Sequence, residues 1–174
     1  IEEDLDNGST MRFFKNREKV NKVCLMKGEL PARTGEIAID RMYADNNNLS
    51  VGDTLRSGKR TWKITGLVAL SDYSCLFQNN NDSMFDAVKF GVSVVTEEEF
   101  DSLEQEKLQY NYSWIYDEKP KTEKEEKEVS EDLMEDMGKI VTLEAFVPRY
   151  LNQAITFTGD DMGGDKAMMI MLLY

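Results

Sequence analysis

Apolar and polar positions alternate with a period of two in several short runs, the pattern of half-buried strands. Residues 10–14, 22–26 and 36–40 read this way. Asp40 then stands where a helix N-cap belongs, ahead of a short helix through Met42, Tyr43 and Ala44 that the Asn46–Asn48 run ends. The clearest local signal is a hairpin. Residues 51–55 and 61–68 flank a turn at Ser57-Gly58, and Trp62, Ile64 and Val68 keep to one face. Gly66, inside the second strand, predicts a bulge or a close backbone approach.

Further along, residues 71–86 read as a long loop with apolar anchors, and 90–95 as a strand. Thr96 and Glu99 have the spacing of a capping box that opens a helix through Phe100 and Leu103. In 108–116 the alternation is strict. Leu108, Tyr110, Tyr112, Trp114 and Tyr116 share one face, which predicts a strand whose aromatic side is either core or a ligand platform. Thr122 and Glu125 suggest a second capping box, leading into a helix with Val129, Leu133, Met137 and Ile140 on one stripe. Residues 140–147 look like a last strand, stopped by Pro148, and 1–9 like a frayed lead-in with a turn at Asn7-Gly8. The sum is six to eight short strands with three or four helices that do not alternate strictly with them. That is an α+β fold, not a doubly wound one.

Composition narrows the chemistry. A chain of 174 residues makes one domain, or two small lobes sharing a core. With 33 acidic residues against 21 basic, the net charge of −12 repels phosphate backbones, so nucleic acid is not an expected partner. Ten acids and five bases fall within 117–139, which reads as a solvated helix face. Histidine is absent, which removes the commonest general base and the usual zinc ligand. Carboxylate, lysine or tyrosine chemistry stays open. Asp40, Asp45, Asp72 and Asp82 could supply an acid–base pair, but nothing in the sequence brings any two together. Cys24 and Cys75 both have apolar neighbours and read as small buried residues.

The loop 159–165 looks most like a site, because Asp160, Asp161 and Asp165 could offer oxygen ligands to Ca²⁺. Its spacing is not that of an EF-hand, and a turn with Asp165 near a helix N-terminus is the plainer reading. Phosphate loops, nucleophile elbows and Cys-x-x-Cys pairs are missing. No catalytic residue and no cofactor is assigned. Residues 167–174 are eight apolar positions after Lys166. A membrane helix needs about 20, so the run is either a terminal helix packed on the core or the first turns of a span.

One block carries a resemblance. Gly28-Glu-Leu-Pro31, Gly35-Glu-Ile-Ala-Ile-Asp40, Asn48-Leu-Ser-Val-Gly-Asp-Thr-Leu55 and Trp62-Lys-Ile-Thr-Gly-Leu-Val68 resemble the extracytoplasmic domain of FtsX-like (MacB-like) ABC-transporter permeases. The stretch 152–161 followed by an apolar run resembles that family's re-entry into the membrane. The likeness points to a Gram-positive bacterium and a domain on the extracellular side of the cell membrane. It implies a two-lobed domain, with 28–95 mainly a β-rich lobe, 96–147 mainly a small α/β lobe, and 152–174 leading into a membrane helix. It also implies a non-catalytic module for binding and conformational coupling. Its partners would be the rest of the permease, a separate cytoplasmic ATPase, and an extracellular ligand or protein. The alternative is a secreted α+β binding or adhesion domain whose apolar C-terminus packs inside. On the permease reading, the gene continues past Tyr174 into about a dozen more apolar residues. Sequencing the next codons checks this, and a charged or stop-terminated continuation would exclude it.

Overall fold

The hairpin seeds the architecture. In the computed structural model, which describes residues 1–142, 145–148 and 151–156, β5 (Thr54–Ser57) and β6 (Arg60–Leu70) pair from Thr54↔Lys63 to Ser57↔Arg60. The two turn residues are therefore Gly58 and Lys59, one position later than the sequence suggested. The other strands are β1 (Glu2–Asp4), β2 (Thr10–Lys15), β3 (Val23–Gly28), β4 (Glu36–Asp40) and β7 (Phe90–Val95). They form one sheet in the order β1-β2-β7-β4-β6-β3, with β5 on the first half of β6. β2–β7 and β4–β6 are parallel and the other pairs antiparallel. Helices α1 (Arg41–Asn46), α2 (Glu97–Ser102), α3 (Glu123–Gly138) and the one-turn α4 (Gln153–Thr156) accompany it. The result is a mixed fold of one mixed sheet and few helices.

The registers assign the two faces. Met11 and Phe13 of β2 align with Gly91 and Ser93; Ser93 pairs with Ile39 of β4, and Ile37, on the same face, pairs with Ile64 of β6, while Trp62 meets the Phe13 ring. All six apolar members of this row are buried. Helix α1 covers the row, because Tyr43 lies on Gly91 so closely that a Cβ there would sit 2.6 Å from the ring. Asp40 caps that helix as expected, accepting from the Met42 and Tyr43 amides at 2.7 and 3.1 Å. Helix α2 covers the rest. Thr96 caps it by accepting from the Glu99 amide at 3.2 Å, but the Glu99 carboxylate turns inward instead of closing the box. There it accepts from the Trp62 indole and the Gly35 amide, both at 2.7 Å, and so links helix, hairpin and the lead-in to β4.

On the opposite face lie Phe90, Val92, Val94, Val68 and Leu70. Among the described residues no helix shields them. Loop 71–86 crosses this face, burying Leu76 against it.

Four sequence expectations need correction. Residues 1–9 are not frayed, since β1 pairs with the outer edge of β2 and Ile1 and Leu5 are buried. Residues 108–116 belong to no ladder; β1 already occupies the edge beside β2, and alternation alone supplies no partner strand. The described parts of 140–147 are not strand either. Helix α3 forms, capped by Thr122, yet Val129 and Ile140 of its apolar stripe are exposed and Ser130 is its buried residue.

Gly66 fulfils its expectation through a bulge and a close approach. The β4–β6 register slips between Ile37 and Ala38, opposite Thr65. A Cβ on Gly66 would sit 2.4 Å from the Glu29 carbonyl oxygen, and one on Gly28 (φ +74°) 2.2 Å from that of Thr65. Two backbones cross where neither tolerates a side chain. Gly66→Ala is expected to cost about 1–3 kcal/mol by overpacking against backbone, measured as a lower urea midpoint at unchanged slope.

Candidate functional site

The carboxylates singled out from sequence end up apart, each tied to a local partner. Asp40 caps α1, and Asp45 pairs with Arg41 at 2.8 Å. Asp72 accepts a two-pronged contact from Arg17 at 2.6 and 2.8 Å. Asp82 closes a turn by accepting from the Asn79 amide at 2.8 Å. Asp160, Asp161 and Asp165 lie outside the described residues, as does the apolar run 167–174. Among the described residues, no group of three or more Cys, Asp or Glu is placed to hold a metal ion. Cys24 is exposed on β3, against expectation, because β3 is the last strand of the sheet; Cys75 is buried, which pushes its thiol pKa up.

The strongest cluster is a clamp that sequence reasoning missed. Arg12 lies on the uncovered side of β2, level with Val92. It donates through Nε to Glu2 at 2.7 Å, through Nη1 to the Tyr73 hydroxyl at 2.6 Å, and through Nη2 to the Gln78 carbonyl at 2.7 Å and again to Glu2. Its guanidinium carbon sits 4.9 Å from the centre of the Phe90 ring. Burial pulls the Arg12 pKa down, but Tyr73 and Glu2 outweigh it and the net shift is upward. Burial raises the Tyr73 pKa, with Arg12 opposing. Arg17 grips Asp72 from the same side. Together they fasten loop 71–86 to β2. The one signal available was an arginine alternating with Met11 and Phe13.

Two segments meet at this loop. Gln78 donates to Glu2 at 3.1 Å, and two residues on, Asn80 accepts from the Gln153 amide at 3.2 Å. The Cys75 amide donates to the Ala154 carbonyl at 3.2 Å, and Cys75, Phe77 and Ala154 form a small apolar cluster beside Tyr73 and Phe85. Segments remote in sequence thus converge on the loop between Cys75 and Asn80.

The aromatic segment 108–116 runs past the same region. Leu108 packs on the core, the Asn21 amide donates to Ser113 Oγ at 3.1 Å, and the Tyr116 hydroxyl lies 2.7 Å from Ser130 Oγ. Tyr110, Tyr112 and Ile115 are more than 70% exposed. The segment is therefore an outward-facing surface and not core. A cleft of about 510 Å³ lies elsewhere, floored by Leu30, Pro31, Val94 and Val95 and rimmed by Lys15, Glu18 and Glu97. Its rim mixes both signs of charge and converges on no single ligand chemistry. Comparison with protein-family models, curated proteins and solved structures finds no match. The geometry itself offers tethering and surface contact.

Asp40 provides a test of the one candidate carboxylate with a resolved shift. Burial raises its pKa, while the Tyr43 and Met42 amides oppose the rise. A carboxyl raised on folding binds more protons in the folded state between its unfolded and folded values. Stability therefore falls as pH climbs through that window, and the charged form is a burden above it. Asp40→Asn keeps the cap without the charge. Relative to wild type it is expected to be more favourable at pH 7 than at pH 4, read from paired urea titrations.

Proposed function

We propose that this chain is the extracytoplasmic domain of an FtsX-like (MacB-like) ABC-transporter permease of a Gram-positive bacterium. It acts as a non-catalytic module for binding and conformational coupling, driven by a separate cytoplasmic ATPase. One observation carries the reading. The segments of Glu2 and Gln153 meet at Gln78–Asn80, an arrangement compatible with a domain carried between two membrane helices. The motif-bearing stretch supports it by folding into strand, short helix and hairpin in the order the resemblance implies.

In this reading the sheet around the hairpin is the β-rich lobe, and residues 96–147 make up the smaller lobe. A displacement of α4 reaches loop 71–86 through Asn80 and the Cys75 amide, and reaches β2 through Arg12 and Arg17. That path is a chain of hydrogen bonds and packed rings, able to pass a rigid-body movement into the sheet. No helix among the described residues is long and apolar enough to cross a membrane, so the spanning helices belong to segments beyond them.

The exposed thiol provides the test. In intact cells expressing the full-length gene, a membrane-impermeant maleimide is expected to label Cys24 and not a Cys24→Ser variant. The protein is expected to stay in the membrane pellet through an alkaline carbonate wash. Labelling only after lysis, or release of the protein into the medium, would overturn the proposal; release would favour the secreted binding domain.

A further inference from the structure

One exposed band stands out from the charged surface of this acidic chain. Between Tyr110 and Ile115 four large side chains point outward: Tyr110 is 73% exposed, Tyr112 77%, Ile115 72% and Trp114 37%. The Tyr110 and Tyr112 rings are nearly parallel, 13° apart with centres 6.4 Å from each other, so they present together. Trp114 stacks on Phe146 at 5.8 Å and 20°, which steadies it. Asn21, which donates to Ser113, also reaches Asp72 at 3.4 Å. The exposed Lys19 and Lys22 thus flank the residue that joins this segment to Ser113. Residues 15–27 hold five bases and one acid; Lys15 and Arg17 are paired with carboxylates, which leaves Lys19, Lys22 and Lys27 in a chain whose net charge is −12.

We infer that this band, with Lys19 and Lys22, rests on the surface of an anionic phospholipid bilayer. Tyrosine and tryptophan combine an apolar ring with a polar tip and are favoured at headgroup depth, while lysines meet lipid phosphates. The segment has no ladder partner, so its own amides and carbonyls need water or headgroups, which that depth supplies and a hydrocarbon core does not. It also lies on the side of the fold where α4 packs on Cys75, three residues from Asp72. From α4 the sequence continues toward the apolar 167–174. The orientation rests on the permease reading; the affinity for lipid does not. Helix α3, crowded with carboxylates, stays in the aqueous layer.

The chain's two tryptophans make the test direct. Trp62 is 1% exposed and bonded to Glu99, so it is blind to lipid. The intact chain is mixed with vesicles of phosphatidylglycerol and phosphatidylcholine, the latter brominated. Trp114 emission is expected to shift to the blue and be quenched, and Trp114→Phe to abolish the response. Tyr110→Ser with Tyr112→Ser should weaken it. Lys19→Gln and Lys22→Gln should each weaken binding roughly fivefold, with far-ultraviolet dichroism checking that each variant folds. Pelleting with vesicles while Trp114 emission stays unchanged would show that the apolar C-terminal run alone holds the chain, and would overturn the inference. Equal response to pure phosphatidylcholine would also overturn it. A failure here with Cys24 labelled in cells leaves the permease reading standing. A lipid response from a protein that cells release into the medium removes that reading and keeps this one.

Discussion

The part-buried guanidinium of Arg12 is the contact on which the placement of loop 71–86 depends. One face of the sheet is covered by α1 and α2, and its packing is ordinary hydrophobic burial. Among the described residues the other face is crossed by loop 71–86, an irregular segment. Arg12 joins that loop to the sheet through Tyr73 and the Gln78 carbonyl, and joins β1 to both through Glu2. The Arg12–Glu2 pair is only partly buried, so solvent screens it and the hydrogen bonds to Tyr73 and the Gln78 carbonyl matter as much as the charge. Arg12 is therefore better understood as fixing where the loop lies than as a large source of stability. Arg17 and Asp72 repeat the device just past the end of β2, at similar exposure.

The sheet behind this clamp is held by a different kind of constraint. At Gly28 and Gly66 two backbones approach too closely for any Cβ. The β6 bulge at that point lets one strand pair with β4 on one side and with β3 and β5 on the other. Glu99 then ties α2 to the hairpin through Trp62 and to the start of β4 through Gly35. A buried carboxylate is costly unless its acceptor sites are filled, and here two donors at 2.7 Å fill them. Fold and clamp are connected through β2, which shares Phe13 with Trp62 on one face and Arg12 with the loop on the other.

Much of this was legible in the sequence wherever a local rule decides the outcome. The cap at Asp40, the hairpin, the β7 strand, the caps at Thr96 and Thr122 and the crowding at Gly66 all depend on neighbours a few residues away. What was not legible depends on distant partners. The alternation in 108–116 marks a strand only if another strand is free to pair with it, and the sheet edge beside β2 is taken by β1. The same competition turned a supposed lead-in into β1. The clamp was invisible because an arginine between two core positions looks like a solvated residue until something covers its face. The candidate carboxylates failed for the complementary reason: each was claimed first by a nearer donor.

The distribution of exposed apolar surface connects the two halves. Up to β7 the large apolar side chains are mostly buried, the β3 edge being the main exception. After Leu108 the balance reverses, with Tyr110, Tyr112, Ile115, Ile140 and Leu151 all more than half exposed. Such a gradient is not what an isolated globule settles into, because every exposed ring forgoes burial energy. Loop 71–86 stands at the junction, fastened to the core by Arg12 and Arg17 and in contact with the second half through Asn80 and Cys75. Leu108 packs directly on the core as well, so the second half is fastened to the sheet both through the loop and beside it.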